Sequence, residues 1–173
     1  MDLAQRPSSD EHSEFLAGYI GKVPDGDIRD RLEGSLAELR EFYGAIPEAK
    51  SDFSYAPGKW TVRDIVAHIA DCERVFAYRA LRFGRGDATP LPGFDQDVLA
   101  PNANVATRSW ESLLADLYAV REATLHLFRS FGERDWARRG EASGHGLSVR
   151  AIAWVVAGHE LHHRAILTER YGI

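Results

Sequence analysis

The chain has 173 residues, of which 45% are hydrophobic and 27% charged, and its formal net charge at pH 7 is -5. This length and composition predict a single soluble domain over residues 1–173, with residues 1–11 as a flexible leader. The negative charge and the absence of a basic stripe exclude nucleic acid as an expected partner.

The cysteine content and the lengths of the apolar runs indicate the expected cellular compartment of the protein. The single cysteine, Cys72, cannot form an internal disulfide, which fits a reducing environment. The N-terminal stretch has no apolar core of the kind a secretion signal needs, and no apolar run is long enough to cross a bilayer. We therefore expect a cytoplasmic protein with no membrane partner.

Apolar residues recur at helical spacing in several stretches of the chain. A short piece, EFLAGYIGKV, predicts one extra helix ahead of four long ones. The long helices are expected to begin after helix-capping residues and to end at proline or glycine. The five stretches cover residues 14–23, 27–46, 61–86, 109–132 and 148–172.

The connection between the second and third long helices, residues 87–108, is rich in Pro, Asn and Asp. It is far longer than the ~2 to 8 residues that usually join bundle helices, so it predicts a crossover or a lid. No run alternates apolar and polar residues long enough to predict a strand. The expected fold is therefore all-α, a four-helix bundle whose sites are built between facing helices.

The stretch AGHELHH, residues 157–163, is the most informative part of the last helix. His159 and His163 are four residues apart, so they share one helix face, and that face continues the apolar line of Ile152. On the second helix, His68 lies beside the apolar stripe that contains Ile65. Three neutral imidazoles that share one core match a transition-metal site with an open position, and imidazole suits zinc, nickel or iron.

Other residues compete for ligand positions. His162 competes with His163, because positions i and i+3 also share a helix face. Cys72, one turn from His68, could ligate as a thiolate, although a single buried cysteine is usually an apolar filler.

Two carboxylates near the histidines are candidates for catalysis. Asp71 and Glu160 could orient a ligand or activate a bound water, although surface carboxylates on helix flanks are the more common explanation of such residues. Solvent is the expected environment of His12, His126 and His145, with His145 a candidate for the mouth of the site.

The letters H-E-x-x-H also occur in zinc proteases. Only RAILTERYGI follows the motif, so no third downstream histidine is present, and Ile166 stands where a metzincin has glycine. A protease is therefore disfavoured.

Two segments carry a resemblance to a known family. YAPGKWTVRDIVAHIADCERVFAYRALRF and GLSVRAIAWVVAGHELHHRAILTERYG resemble the second and last helices of the DinB/YfiT-like superfamily. The resemblance implies an up-down-down-up bundle, a homodimer, and a divalent metal held by His68, His159 and His163. Zinc or nickel is expected there, with iron or manganese as alternatives.

The resemblance leaves several functions open. The favoured interpretation is an enzyme that acts on small molecules as a thiol-dependent S-transferase, with a low-molecular-weight thiol as cosubstrate. One alternative is a hydrolase that uses metal-bound hydroxide, with Asp71 or Glu160 as proton acceptor. Another is a non-catalytic, metal-binding stress-response protein in which the ion only ties helices together.

Overall fold

The secondary structure comes from a computed structural model that describes residues 2–3, 5–87 and 89–173. None of the helices in these ranges is both long and apolar enough to cross a membrane. In chain order the elements are α1 Glu14–Ile20, α2 Ile28–Gly44, α3 Val62–Gly84, α4 Gln96–Leu99, α5 Trp110–Arg129, α6 Glu133–Trp136, β1 Arg139–Ala142, β2 His145–Ser148 and α7 Val149–Tyr171.

The long helices begin and end where their capping residues predict. Thr61 and Asp64 form a reciprocal capping box at the start of α3. Ser109 caps α5 and Ser148 caps α7 through their side chains. Gly172, at φ 66°, ends α7 in the left-handed conformation that glycine adopts readily.

Helices α3 and α5 run parallel, although they are neighbours in the sequence of long helices. Near their N-terminal ends, Nη1 of Arg63 donates a hydrogen bond of 3.1 Å to the carbonyl of Arg108. Near their C-terminal ends, Nη2 of Arg85 donates to Oγ of Ser130 at 2.7 Å. Because the N-terminal ends contact each other and the C-terminal ends contact each other, α3 and α5 point in the same direction.

The other two helix pairs that define the bundle are antiparallel. Arg129 at the end of α5 pairs with Glu33 near the start of α2. Tyr171 at the end of α7 donates its hydroxyl hydrogen to the carbonyl of Trp60, just before α3, at 2.7 Å. The directions of α2, α3, α5 and α7 are therefore up, down, down and up, and the predicted bundle topology is confirmed.

The parallel pair explains the long connection. A helix of 23 residues such as α3 is about 34 Å long, so the chain must travel back along the bundle before α5 can begin. The crossover contains α4 and is fixed to β1: the N–H of Leu91 donates to the carbonyl of Glu141 at 2.9 Å.

The expectation that the chain contains no strand is wrong for residues 139–148. Strands β1 and β2 pair antiparallel, and the two turn residues Ser143 and Gly144 have φ of 56° and 77°. Positive φ at both positions is typical of a tight hairpin turn. Four-residue strands are too short to show alternation, so the Ser-Gly pair was the usable signal.

The segment expected to be a flexible leader contributes buried side chains. Leu3 and Glu11 are among the buried residues. The Glu11 carboxylate accepts hydrogen bonds from Oγ of Ser148 at 2.8 Å and from Nε of Arg150 at 3.2 Å. Burial alone would raise the pKa of Glu11, but these donors and those of Ser8 hold it at about 2.

We expect Glu11→Gln to change the acid stability of the protein. The pKa of Glu11 in the folded protein lies below its ordinary value of 4.5, so its contribution to stability is present above about pH 4.5. That contribution is lost as the pH falls toward 2. Urea unfolding at pH 7 and pH 3.5 should show a larger loss in the wild type than in the variant. Equal losses would contradict this assignment.

A buried ion pair joins α3 to α5. Nε and Nη2 of Arg121 donate to the two carboxylate oxygens of Glu73, each at 2.8 Å. Both side chains are almost completely removed from solvent. Taking both charges out of water is costly, so removal of either partner leaves an uncompensated charge in the core.

We expect Glu73→Gln to lower the free energy of unfolding by about 3 kcal/mol, because the Arg121 charge then stays buried without its counter-ion. Denaturant unfolding measures this loss. The matched control is Glu33→Gln, which breaks the half-exposed pair with Arg129 and should cost less than about 1 kcal/mol. Similar losses for the two variants would be inconsistent with this account.

Candidate metal centre

Three histidine rings meet between α3 and α7. Nε2 of His159 lies 3.2 Å from Nε2 of His68 and 3.2 Å from Nε2 of His163. The antiparallel packing of the two helices brings His68 to the level of the α7 pair, whose members are one helical turn apart. The structure thus brings together the three residues that the sequence analysis singled out.

Aromatic side chains surround the three rings. Trp60 lies 4.7 Å from His68 between ring centroids, and Tyr19 lies 5.1 Å from His159. Phe76, on α3, packs against His159 from a third direction. Gly158 on α7 allows the close approach of Tyr19, because a Cβ at position 158 would overlap the carbonyl oxygen of Tyr19. The rings therefore lie in a largely apolar environment.

Burial keeps the three imidazoles neutral. It lowers the pKa of His68 to about 4 and that of His163 to about 3, with a further contribution from neighbouring histidines. Burial also lowers the pKa of His159. A neutral Nε2 has either one hydrogen or one lone pair, so Nε2 of His159 cannot form two good hydrogen bonds to its two neighbours. A cation that accepts all three lone pairs resolves this conflict.

The spacing of the nitrogens fits such a cation. In a tetrahedral site with zinc–nitrogen bonds of about 2.0–2.1 Å, two ligand nitrogens are about 3.3 Å apart. The two 3.2 Å distances at His159 agree with that spacing. These two nitrogen pairs therefore suit a divalent transition metal, whereas the described donor atoms that all lie within 4.8 Å of one another are those of His68, Cys72 and His159.

Cys72 offers a competing donor. Its Sγ lies 3.5 Å from Nδ1 and 3.7 Å from Nε2 of His68, and His68, Cys72 and His159 can together face one ion. Burial raises the pKa of the Cys72 thiol to about 12, so it stays protonated unless a cation binds to it. Two donor sets are therefore present, one completed by His163 and one by Cys72.

His162 occupies a different position from His163. Its ring is half-buried and packs against Tyr19, with the centroids 5.3 Å apart. Among the described residues, the short nitrogen contact with His159 comes from His163. The geometry therefore favours His163 as the ligand.

The two carboxylate candidates do not contact the rings. Asp71 accepts from Nη1 of Arg74 at 3.1 Å on a partly exposed helix flank. Glu160 is buried and accepts from Nε of Arg164 at 3.0 Å, so the expectation that it is a surface carboxylate is wrong. Within the described part of the chain, neither is hydrogen-bonded to the three histidines.

The crossover passes over the histidines and shapes two clefts. His163 lines a cleft of about 320 Å³, together with Trp60. Phe76 lines a larger cleft of about 630 Å³, which also includes the exposed His145. Gln96 and Asp97 of the crossover line both clefts, so the two clefts adjoin at this segment and are together called the groove.

The sequence predicted the exposure of some of the remaining histidines but did not predict the groove residues. His126 is exposed as predicted, and His12 is half-buried. No motif in the sequence marks Trp60 or Asp97 as a site residue. The only available signal was the length of the segment that contains Asp97, since nothing local indicates what a long connection covers.

Comparison with known proteins decides the family. The DinB superfamily profile matches residues 31–167, which is most of the chain. The chain belongs to the DinB superfamily. A protein of Oceanobacillus iheyensis, provisionally named a metal-dependent hydrolase, is 28% identical over 152 residues that cover 83% of this chain and 85% of that protein.

Two solved structures share the fold. YfiT from Bacillus subtilis, described as a probable metal-dependent hydrolase with an unusual four-helix bundle topology, has a TM-score of 0.71 and 18% identity over 99% of each chain. A mycothiol-dependent maleylpyruvate isomerase has a TM-score of 0.64 and 17% identity, covering 84% of this chain but 61% of the isomerase. At these identities the likeness concerns the fold alone.

We expect one divalent ion per chain, and alanine variants should reveal which side chains hold it. Replacing His68, His159 or His163 by alanine removes a lone pair and should abolish stoichiometric binding, measured by elemental analysis after equilibrium dialysis against zinc or nickel.

His162→Ala is the matched control and should keep the ion, because its ring lies outside the cluster. The same measurement on Cys72→Ala decides between the donor sets. Full occupancy in His163→Ala combined with loss in Cys72→Ala would overturn the three-histidine assignment.

Proposed function

We propose that this protein is a metal-dependent hydrolase of small organic molecules. The observation that carries the proposal is the contact of Nε2 of His159 with Nε2 of both His68 and His163, with His163 lining a cleft that Asp97 also lines. The descriptions of the Oceanobacillus relative and of YfiT support a hydrolytic reaction. They move hydrolysis ahead of the thiol transfer that the sequence alone favoured.

The cysteine of this chain does not supply the nucleophile. Cys72 is the only cysteine, and its thiol is buried and protonated. A divalent cation held by His68, His159 and His163 would acidify a nucleophile and polarise a carbonyl group. The aromatic side chains of Trp60 and Tyr19 shield the rings from bulk water.

Asp97 is the carboxylate best placed to move a proton. It lines the same cleft as His163, and no described side chain forms an ion pair with it. In the proposed reaction, the oxygen of water bonds to the carbonyl carbon of the substrate, and the bond from that carbon to the leaving group breaks. Asp97 takes the proton from the water and returns it to the leaving group.

Thiol transfer is the second candidate. The fold shared with a mycothiol-dependent enzyme and the lack of a nucleophilic cysteine in this chain favour it. A thiolate supplied in solution would displace the leaving group of an electrophile in the same groove. A metal with a purely structural role remains the alternative outside enzymology, and the open groove argues against it.

We expect metal-loaded protein to hydrolyse 4-nitrophenyl esters faster than the metal-free protein. Asp97→Asn should lower kcat about 100-fold with little change in KM, because the amide cannot accept the proton. Asp71→Asn is the matched control and should have no effect, since Asp71 is paired with Arg74 on the flank of α3.

The outcomes separate the three candidates. Turnover of 1-chloro-2,4-dinitrobenzene only with added glutathione or N-acetylcysteine, without ester hydrolysis, would replace the hydrolase by the transferase. Equal rates for metal-loaded and metal-free protein in both assays would leave the structural metal. Unchanged kcat in Asp97→Asn would remove the proton-transfer role.

A further inference from the structure

One buried arginine differs from the others in having no acidic partner. Four arginines in the described residues are buried, and three pair with a carboxylate: Arg63 with Asp52, Arg121 with Glu73 and Arg150 with Glu11. The fourth, Arg79 on α3, is 5% exposed, and no described carboxylate lies within ion-pair distance of it. A buried charge without a counter-ion is costly, so its retention needs a reason.

The contacts of Arg79 leave donors available. Nη2 donates to the carbonyl of Pro92 at 3.2 Å and to Oγ of Ser143 at 2.9 Å. These contacts fix the guanidinium between the crossover and the hairpin turn. A guanidinium has five N–H groups, so the one on Nε and the two on Nη1 remain without a described partner. Arg79 lines the larger cleft, where a ligand can reach these groups.

The cleft around Arg79 is otherwise suited to an apolar ligand. The guanidinium lies 5.6 Å from the centre of the Phe94 ring, and Phe76 and Phe15 line the same cleft. The charged or titratable side chains that share the cleft with Arg79 are Asp95, Asp97 and His145. Its volume of about 630 Å³ is in the range of small-molecule sites.

The charge balance indicates the kind of anion. Oδ1 of Asp95 accepts from the backbone N–H of Asp97 at 2.8 Å and caps α4. The two carboxylates lining this cleft outnumber its one guanidinium, so the repulsion grows with each negative charge on a ligand. A monoanion such as a carboxylate is therefore favoured over a phosphate dianion.

One aromatic side chain of this cleft also contacts the histidine cluster. Phe76 lines the cleft and also packs against His159. Arg79 is eleven residues after His68 on the same helix, a rise of about 16 Å, and both side chains lean toward the N-terminus, so the separation along the helix axis stays similar. A ligand that spans from the guanidinium to the rings must therefore be elongated.

We propose that Arg79 binds the carboxylate of the substrate, whose apolar body lies along Phe76 and Phe94 and whose other end reaches the three histidines. The inference rests on the proposed function for the reaction at that end. It names the substrate class as small apolar carboxylates. Binding of the carboxylate by Arg79 does not require the reaction to occur, so it can be measured separately.

Calorimetric binding of 4-phenylbutyrate and of its neutral isostere 4-phenylbutanamide tests the proposal. The wild type should bind the carboxylate at least about 10-fold more tightly than the amide, in both metal-loaded and chelated protein. Persistence after chelation shows that the carboxylate is not simply a metal ligand. Equal affinity for the two probes in the wild type would overturn the proposal without any variant.

Variants then locate the anchor. Arg79→Gln should lose the preference for the carboxylate, and Arg79→Lys should retain part of it, while circular dichroism and metal content stay at wild-type values. The matched control is Arg85→Gln. Arg85 is an exposed arginine just after the end of α3 that donates to Ser130, so its replacement should leave both affinities unchanged.

Two further outcomes bear on the proposal. An unchanged preference in Arg79→Gln would overturn it, as would inorganic phosphate displacing 4-phenylbutyrate at equal concentration. Failure of ester hydrolysis with intact carboxylate preference would refute the proposed function and leave the Arg79 site standing. The two claims therefore fail separately.

Discussion

The packing of α3 against α7 is the interaction on which the site depends. It buries three imidazoles from two helices that are far apart in the sequence, and His68 meets His159 across 91 residues. Neutral imidazoles in an apolar setting need partners, and these three have mainly each other. Because Gly158 has no side chain, α1 packs closely against α7 at this position. Tyr19 of α1 therefore contacts His159 from outside the four-helix core. The constraint is therefore both electrostatic and steric.

A second constraint follows from the direction of the helices. Because α3 and α5 are parallel, the chain must return along the bundle, and the returning segment becomes the wall of the groove over the histidines. A simple antiparallel bundle with short loops would leave the rings without Asp97, Phe94 or the contact between Leu91 and the hairpin. The unusual topology and the candidate active site are thus consequences of the same connection.

The distribution of buried charge separates structural from functional roles. Glu73 with Arg121 and Glu11 with Arg150 are neutralised pairs that join segments of the fold. Arg79 lacks such a partner among the described residues and lines a cleft with Phe76, which packs against His159. The proposed hydrolysis at the histidines and the proposed carboxylate recognition at Arg79 account for both features. The two parts rest on different residues.

The sequence by itself determined the features that depend on local spacing: the four long helices, their caps, and the shared face of His159 and His163. Helix periodicity and capping act within a few residues, so they can be read from adjacent positions. Only the tertiary structure decided that Cys72 lies close enough to both His68 and His159 to share an ion with them, that Glu160 is buried, and that a short hairpin precedes α7. It alone also revealed Asp97 in the cleft that His163 lines and Arg79 without a counter-ion among the described residues. These depend on contacts between segments separated by tens of residues, and no local pattern specifies which segments will meet.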